Sequence, residues 1–226
     1  MRRDEEDVRL YDRVARVEEQ LGSKAVDQLR PRLEGEDGEA RFTQLVQEHA
    51  QPDDVAVDIG TGAGVWLLGA VAPRVRQAIG IDYARGRFRF ALQAKTQLGA
   101  TNACFLLADG RRIPLRDGVA DLVISRRGPW TENEQFFEEG CRVLSQGGFG
   151  MEIGIGALNA QELHEAFAER AQMHVRYTTD RDPMEESVAL FRRHGLEPVV
   201  TESYVATEVF PSRDALVHRL DRKSVV

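Results

Sequence analysis

Three glycines alternate in a short segment near position 60, and their spacing suits a ligand that is bound through the backbone. The segment reads Val57-Asp58-Ile59-Gly60-Thr61-Gly62-Ala63-Gly64 and ends a short apolar run. Glycine lets a chain turn sharply and approach a ligand where a Cβ would clash. A helix that begins after such a turn presents free N–H groups to ligand oxygens. A tight strand-to-helix turn without a ligand is the alternative, but it needs fewer glycines than stand here.

The spacing of these glycines separates two kinds of nucleotide ligand. The dinucleotide pattern G-x-G-x-x-G would place its third glycine at position 65, which is Val65. Asp58 lies two residues before Gly60, and its carboxylate would repel a pyrophosphate but suit a cationic group such as an amino-acid ammonium. Asp58 could also be a structural acceptor for the loop amides. The pattern favours an S-adenosylmethionine site over an NAD site, so an NAD-dependent oxidoreductase is the disfavoured alternative.

Two further acids stand where the next two apolar runs end. Asp82 follows Gly64 by 18 residues, and a carboxylate at such a strand end can accept two hydroxyl hydrogen bonds. It could equally cap the helix that begins near Ala84. Asp109 precedes Gly110, and Asp-Gly is also an ordinary turn signal.

Strand and helix patterns alternate from position 55 with short links, which predicts a doubly wound, Rossmann-like α/β fold. We expect a mostly parallel sheet with helices on both faces. The predicted domains are an N-terminal helical cap at 1–38 and the main domain at 39–226. Helices are expected at about 5–30, around 42–46, and at 65–71, 85–98, 132–144, 158–173, 184–194 and 212–221. Strands are expected at 55–59, 77–81, 103–107, 120–125, 149–155 and within 196–210, with a turn at 147–148.

Five motifs, in order and spacing, resemble the class I S-adenosylmethionine-dependent methyltransferases, in particular their type 11-like group, from about 40 to 205. They are the glycine segment, Ile79-Gly80-Ile81-Asp82, Leu107-Ala108-Asp109-Gly110, the segment from Ile113 to Ser125, and Arg142-Val143-Leu144-Ser145-Gln146-Gly147-Gly148, where proline is usual at Gln146. The resemblance implies that Asp82 takes the ribose hydroxyls and that Asp109 meets the adenine amino group. It implies S-adenosyl-L-methionine contacts at Asp58, Gly60, Thr61, Gly62, Gly64, Asp82, Tyr83, Ala108, Asp109, Gly110 and Ser125. The ring of Tyr83 could lie on the adenosine or have an ordinary packing role.

The acceptor side is expected in the loop Ser125-Arg126-Arg127-Gly128-Pro129-Trp130, at the carboxyl end of the fourth predicted strand. Arg126, Arg127 and Trp130 could hold an anionic or planar acceptor. Alternatively, the arginines pair with the acids of the following helix, Glu132 and Glu134. The sequence indicates no catalytic residue and no metal site. A sulfonium methyl is already activated, so such a site mainly has to align donor and acceptor and exclude water.

The amino-acid composition limits the kinds of molecule that this protein is expected to bind. The 226 residues carry a net charge of -7, which disfavours nucleic acid as a partner. We therefore expect a small-molecule acceptor, with an RNA base as the alternative acceptor and a non-catalytic S-adenosylmethionine-binding protein as the alternative function. No apolar run approaches the roughly 20 residues that span a bilayer, and MRRDEEDVRL is not a signal peptide. These features predict a cytoplasmic protein with no membrane partner, in which Cys104 and Cys141 are reduced thiols.

The sequence also leads to expectations about the N-terminal helix and the C-terminal strand. The N-terminal helix, with Tyr11, could fold over the cofactor or be a solvated helix with internal ion pairs. The chain stops at Arg222-Lys223-Ser224-Val225-Val226, where members of the resembling group continue into another helix and an antiparallel last strand. We expect that strand to be absent or altered. The resulting exposed sheet edge would favour a homodimer.

Overall fold

The computed structural model describes residues 31–156 and 182–216. The predicted helices at 5–30 and 158–173 lie outside the described residues, as do Tyr11 and residues 217–221 of the predicted helix at 212–221. The cap at 1–38 therefore stays a prediction.

In chain order, the first half contains β1 (Arg32–Gly35), α1 (Gly38–His49), β2 (Val55–Ile59), β3 (Gln77–Asp82), α2 (Arg85–Leu98) and β4 (Ala103–Leu107). The second half contains β5 (Ala120–Arg126), α3 (Glu134–Val143), β6 (Leu144–Ile153), α4 (Pro183–Arg193) and β7 (Ala206–Val209). Asp37 and Asn133 cap α1 and α3, since each side chain accepts a backbone N–H from the first turn of its helix. The predicted strands 55–59, 77–81, 103–107 and 120–125 and the helix 85–98 are confirmed within a residue.

Five parallel strands form the central sheet in the order β4-β3-β2-β5-β6. From β2 the chain moves outward through β3 to β4, then crosses back to β5 on the other side of β2 and continues outward to β6. In such sheets ligands bind beyond the carboxyl ends of the strands at this switch point. The predicted doubly wound α/β fold is confirmed, and its ligand edge is the edge at which β2, β3 and β5 end.

Apolar side chains cover both faces of the sheet. One face packs Leu122 and Ile124 against α1, α2 and the segment that follows the glycines. The other face packs Val57 and Val123 against α3 and α4. Since alternate residues of a strand point to opposite faces, Asp58 and Arg126 lie on the α1 side. Ile59 and Ser125 lie on the α3 side.

Three elements differ from the sequence-based expectations. The predicted helix 65–71 winds into a π-helical turn at Leu67–Val71 and a 3₁₀ turn at Ala72–Arg74, where Pro73 has no N–H to continue a helix. The expected turn at 147–148 is a bulge inside β6, because the pairing with β5 moves from Ala120–Leu144 directly to Leu122–Phe149.

The third difference concerns the terminal strands. Of the strand-rich stretch 196–210, only β7 is extended and paired, and it pairs antiparallel with β1 in a separate two-stranded sheet. β1 occupies a stretch for which neither a helix nor a strand was predicted. Within 31–156 and 182–216, no strand pairs with the outer edge of β6. The expectation that the last strand is absent or altered stays a prediction, and so does the dimer.

Candidate functional site

The glycine turn lies across the carboxyl ends of β2 and β3. The N–H groups of Gly60 and Thr61 both donate to the carbonyl of Ile81, at 2.9 and 3.0 Å. All three glycines have left-handed backbone angles, with φ of 80° at Gly60, 59° at Gly62 and 70° at Gly64. Residues with a side chain rarely adopt this conformation, so the alternating glycines are required by the path of the backbone.

The three glycines differ in what a side chain would meet. A Cβ at Gly60 would lie 2.7 Å from Pro129, and one at Gly64 would lie 2.4 Å from the ring of Phe105. At Gly62 no atom lies within 4 Å of that position. Gly60 and Gly64 are therefore also required by packing, whereas Gly62 presents an open backbone surface where a ligand can approach.

Asp82, the last residue of β3, links this turn to the start of α2. One carboxylate oxygen accepts the N–H of Gly62 and the other accepts the N–H of Ala84, both at 2.8 Å. Burial raises the pKa of Asp82 and the backbone N–H groups oppose this shift. The capping role considered for Asp82 is thus present. Each oxygen keeps a lone pair for a hydroxyl donor, so the predicted ribose contact is chemically compatible with these bonds.

Asp58 is buried on the α1 side of β2, with 3% of its surface exposed. Its Oδ1 atom and the Oγ1 atom of Thr61 are buried and make no hydrogen bond of normal geometry among the described residues, although the Thr61 hydroxyl lies close enough to lower the pKa of Asp58. Burial raises the pKa of Asp58 to about 6, against the opposing effects of Thr61 and the Arg126 guanidinium. A buried carboxylate oxygen without a partner is costly, and this observation fits the cationic ligand group predicted for Asp58.

Asp109 stands beyond the end of β4 and is held by Arg111. The Arg111 side chain donates to both carboxylate oxygens at 2.7–3.0 Å, and its backbone N–H donates at 2.9 Å. These bonds hold the pKa of Asp109 below its ordinary value. The turn role considered for Asp109 is therefore present, and its contact with adenine stays a prediction.

The neighbours of these two acids complete the cofactor side. The N–H of Ala108 donates to the carbonyl of Asp82 at 3.0 Å, which joins the ends of β3 and β4. Gly110 is buried, and a Cβ there would lie 3.0 Å from Phe136. Tyr83 is half-buried, and its stacking on adenosine stays a prediction.

The loop after β5 is fixed by close backbone packing. Ser125 is fully buried, and its hydroxyl donates to the carbonyl of Ile59 at 3.4 Å. A Cβ at Gly128 would lie 2.3 Å from that same carbonyl oxygen. Arg127 has a left-handed φ of 54°, and its N–H donates to Ile153 at 2.8 Å. A non-glycine residue in this conformation is uncommon, and such residues cluster at functional sites.

The two arginines of this loop pair with an acid that the sequence analysis did not single out. Arg126 Nη1 lies 2.8 Å from Glu39 Oε2, and Arg127 Nε donates to Glu39 Oε1. The partner is thus in the first turn of α1 and not in the helix after the loop, which corrects the alternative that named Glu132 and Glu134. The Arg126 guanidinium also lies 5.3 Å from the centre of the Trp66 ring. Neither Glu39 nor Trp66 has a local sequence signal that marks it.

Trp130 lies inside the protein, which corrects its prediction as an acceptor contact. Its ring has no exposed surface, stacks on Phe137 at 5.4 Å and meets the edge of Phe191 at 5.3 Å. The indole N–H donates to the carbonyl of Phe137. Trp130 therefore anchors the loop to α3 and α4.

Another carboxyl group with a raised pKa, partly buried, lies at the end of β6. Glu152 pairs in register with Ser125 and accepts the Thr131 hydroxyl at 2.5 Å. Burial raises the pKa of Glu152 to about 7.

Across 31–156 and 182–216, no group of three or more histidine, cysteine or acidic residues could hold a metal ion, and no helix is long and apolar enough to cross a membrane. Cys104 and Cys141 are free and partly buried.

The parallel sheet, the glycine turn and the acids at three strand ends define a Rossmann-like nucleotide-binding domain. Residues 56–148 match the family described as a methyltransferase domain. The chain is 29% identical over 179 residues to the malonyl-[acyl-carrier protein] O-methyltransferase of Geobacter sulfurreducens, covering 77% of this chain and 64% of that protein. It thus spans less than two thirds of the length of that relative.

Solved structures show the same fold. The YcgJ protein of Bacillus subtilis has a TM-score of 0.56 at 21% identity, over 69% of this chain and 68% of that one. A SAM-dependent methyltransferase of Aquifex aeolicus has a TM-score of 0.52 at 18% identity, over 80% of this chain and 87% of that one. The family match thus places a methyltransferase domain at residues 56–148, and these solved structures share its fold.

Proposed function

We propose that this chain transfers the methyl group of S-adenosylmethionine to a small-molecule acceptor. The observation that carries the proposal is the open backbone at Gly62, whose N–H is held by Asp82 at 2.8 Å. Asp82 would hold the ribose, and Asp109 would meet the adenine. Asp58 would meet the ammonium group with its unpartnered oxygen.

Bound S-adenosylmethionine supplies a methyl group on a positively charged sulfur. The residues of this chain have to orient it and keep water away from it. Donor and acceptor would meet against a surface formed by three closely packed residues, Asp58, Ser125 and Gly128.

Two observations favour a small acceptor with an oxygen nucleophile. The net charge of -7 disfavours RNA, whose binding requires many neutralised phosphates. The Geobacter relative is named for methylating an oxygen of a malonyl group. An acyl carboxylate is therefore the first acceptor to test.

The cofactor half of the proposal is tested by calorimetry with S-adenosylhomocysteine. Gly62→Ala should weaken binding by at least about tenfold, because its methyl group would enter the space in front of the backbone. Gly147→Ala is the matched control, since Gly147 also has a positive φ, of 82°, and open surroundings, but lies in the β6 bulge. Both variants carry a similar backbone strain, so equal affinities would contradict the proposed site.

The transfer half needs a labelled methyl group. Protein incubated with tritiated S-adenosylmethionine should label a small-metabolite fraction and leave total RNA unlabelled. Labelled RNA would replace the proposed acceptor class. Binding of S-adenosylhomocysteine without transfer to either pool would identify a non-catalytic binding protein.

A further inference from the structure

The loop after β5 carries more positive charge than its partner neutralises. Two guanidinium groups share the single carboxylate of Glu39. The side chains of Arg126 and Arg127 are 35% and 44% exposed, whereas that of Glu39 is 24% exposed. Asp58 is a second acid near Arg126, so the positive charge that solvent or a ligand can reach lies on the more exposed Arg127.

Within the part of the chain that the structure describes, most N–H donors of the two guanidinium groups have no hydrogen-bond partner. Glu39 takes one N–H from each arginine, through Arg126 Nη1 and Arg127 Nε. A guanidinium has five N–H donors, and the remaining ones have no hydrogen-bond partner within 31–156 and 182–216. Guanidinium groups bind carboxylates best through two parallel bonds, and such a pair of free donors remains on Arg127.

The positions of both arginines are fixed beside the proposed cofactor site. The Arg126 guanidinium lies over the Trp66 ring, in the segment that follows the glycine turn. It is close enough to Asp58 to lower the pKa of that acid. Arg127 is the next residue, and its backbone is tied to β6. An anion bound here would lie next to the end of the cofactor that carries the sulfur.

We propose that Arg126 and Arg127, with Glu39 as their fixed counter-ion, form an anion subsite that binds the carboxylate of the methyl acceptor. This inference rests on the proposed function and names its substrate class. One carboxylate oxygen forms a bond to the methyl carbon, and the carbon–sulfur bond breaks with its electron pair going to sulfur. The products are a methyl ester and a neutral thioether. No proton is transferred, so the site needs no general base.

The test uses two thioesters that differ by one carboxylate, S-malonyl-N-acetylcysteamine and S-acetyl-N-acetylcysteamine. Each is titrated into protein saturated with S-adenosylhomocysteine. The malonyl compound should bind at least about tenfold more tightly than the acetyl compound. Equal affinities, or no binding of the malonyl compound by protein that binds S-adenosylhomocysteine, would overturn the subsite. Failure to bind S-adenosylhomocysteine itself would instead refute the proposed function.

Variants assign the effect to the loop. Arg127→Asn keeps a residue that tolerates the left-handed backbone and should reduce the preference for the malonyl compound about tenfold while leaving S-adenosylhomocysteine affinity unchanged. Arg126→Gln is the second variant, should the first fail to fold. Arg76→Gln is the control, since the Arg76 side chain bonds to the Asp53 carbonyl at the opposite edge of the sheet. An unchanged preference in both loop variants would refute the assignment.

The chemistry of the product gives an independent readout. With tritiated S-adenosylmethionine and the malonyl thioester, the label should become volatile methanol after alkali treatment, because alkali cleaves methyl esters. Label that resists alkali would show transfer to carbon or nitrogen and would overturn the carboxylate as acceptor.

Discussion

Replacing Asp82 with alanine should lower both the stability of the fold and the affinity for the cofactor, and a matched control separates the two effects. The carboxylate accepts two backbone N–H groups at 2.8 Å, from Gly62 and Ala84. Hydrogen bonds to a charged group contribute about 1.5–3 kcal/mol each. The variant also removes the cost of burying the charge, which is visible in the raised pKa of Asp82. We therefore expect a net loss of stability of about 1.5–3 kcal/mol, near the value of a single bond.

The effect on the ligand should be of similar size and should have a different cause. Without the carboxylate, the ribose hydroxyls lose their acceptor and the turn loses its contact to Gly62. A loss of about 1.5–3 kcal/mol in binding is about a ten- to hundred-fold weaker affinity for S-adenosylhomocysteine by calorimetry.

Asp121→Ala is the matched control for this experiment. Asp121 also binds a backbone N–H through its carboxylate, that of Val55 at 2.9 Å, but at the amino end of the sheet. It should lose stability to denaturant without losing affinity for S-adenosylhomocysteine. The reasoning is refuted if Asp82→Ala binds like the wild type, or if Asp121→Ala loses as much affinity.

Three further predictions concern the two buried residues Asp58 and Trp130. Because the pKa of Asp58 is about 6, its carboxylate is protonated at pH 5, and the affinity for S-adenosylhomocysteine should fall about tenfold between pH 7 and pH 5. Calorimetry on Asp58→Asn should show an affinity that does not change with pH. If the variant keeps the pH dependence of the wild type, the titration belongs to another group such as Glu152. The same raised pKa means that Asp58 holds its proton to higher pH in the native state than in the unfolded state. Its contribution to the free energy of unfolding therefore decreases as pH rises from about 4 to about 6. Denaturant titrations of Asp58→Asn should no longer show that decrease. Trp130→Ala should lose about 3–5 kcal/mol of stability while the folded variant keeps its affinity for S-adenosylhomocysteine; a stable variant that no longer binds the malonyl thioester would restore Trp130 as an acceptor contact.

The sheet and the glycine turn were predictable because their signals are local. An apolar run such as 55–59 followed by glycines indicates a buried strand and a turn. The positive φ angles at Gly60, Gly62 and Gly64 are the conformations for which glycine is selected. Sequence alone could not distinguish the roles of the three glycines. Phe105, which excludes a side chain at Gly64, lies on another strand.

Trp130 shows why adjacency in sequence is a poor guide to the acceptor side. It follows the arginines closely, yet the loop turns inward after Gly128 and places the ring against Phe137 and Phe191. Burial of a large aromatic ring removes far more apolar surface from water than a place in a loop would. The position of Trp130 was therefore decided by residues up to 61 positions away.

The pairing of Arg126 with Glu39 spans 87 positions and has no counterpart in any local motif. It depends on how α1 packs over the α1 side of the sheet, where Phe42 and Val46 are buried. Charge patterns within the loop pointed to the nearby acids instead. Long-range ion pairs of this kind follow from the topology, and only the folded chain reveals them.

The ligand edge of the sheet divides into an acidic half and a basic half, and this division suits one kind of methyl transfer. Asp58 and Asp82 lie at the ends of β2 and β3, where a cationic donor would bind, and the paired arginines lie beyond β5. A cationic sulfur and an anionic oxygen would then react to give two neutral products, so charge would be lost along the reaction. Excluding water strengthens the attraction between opposite charges. A site shielded from water, as the burial of Asp58 and Ser125 indicates for this edge, would therefore favour a step in which charge is lost, whereas a neutral acceptor would gain no comparable attraction to the arginines.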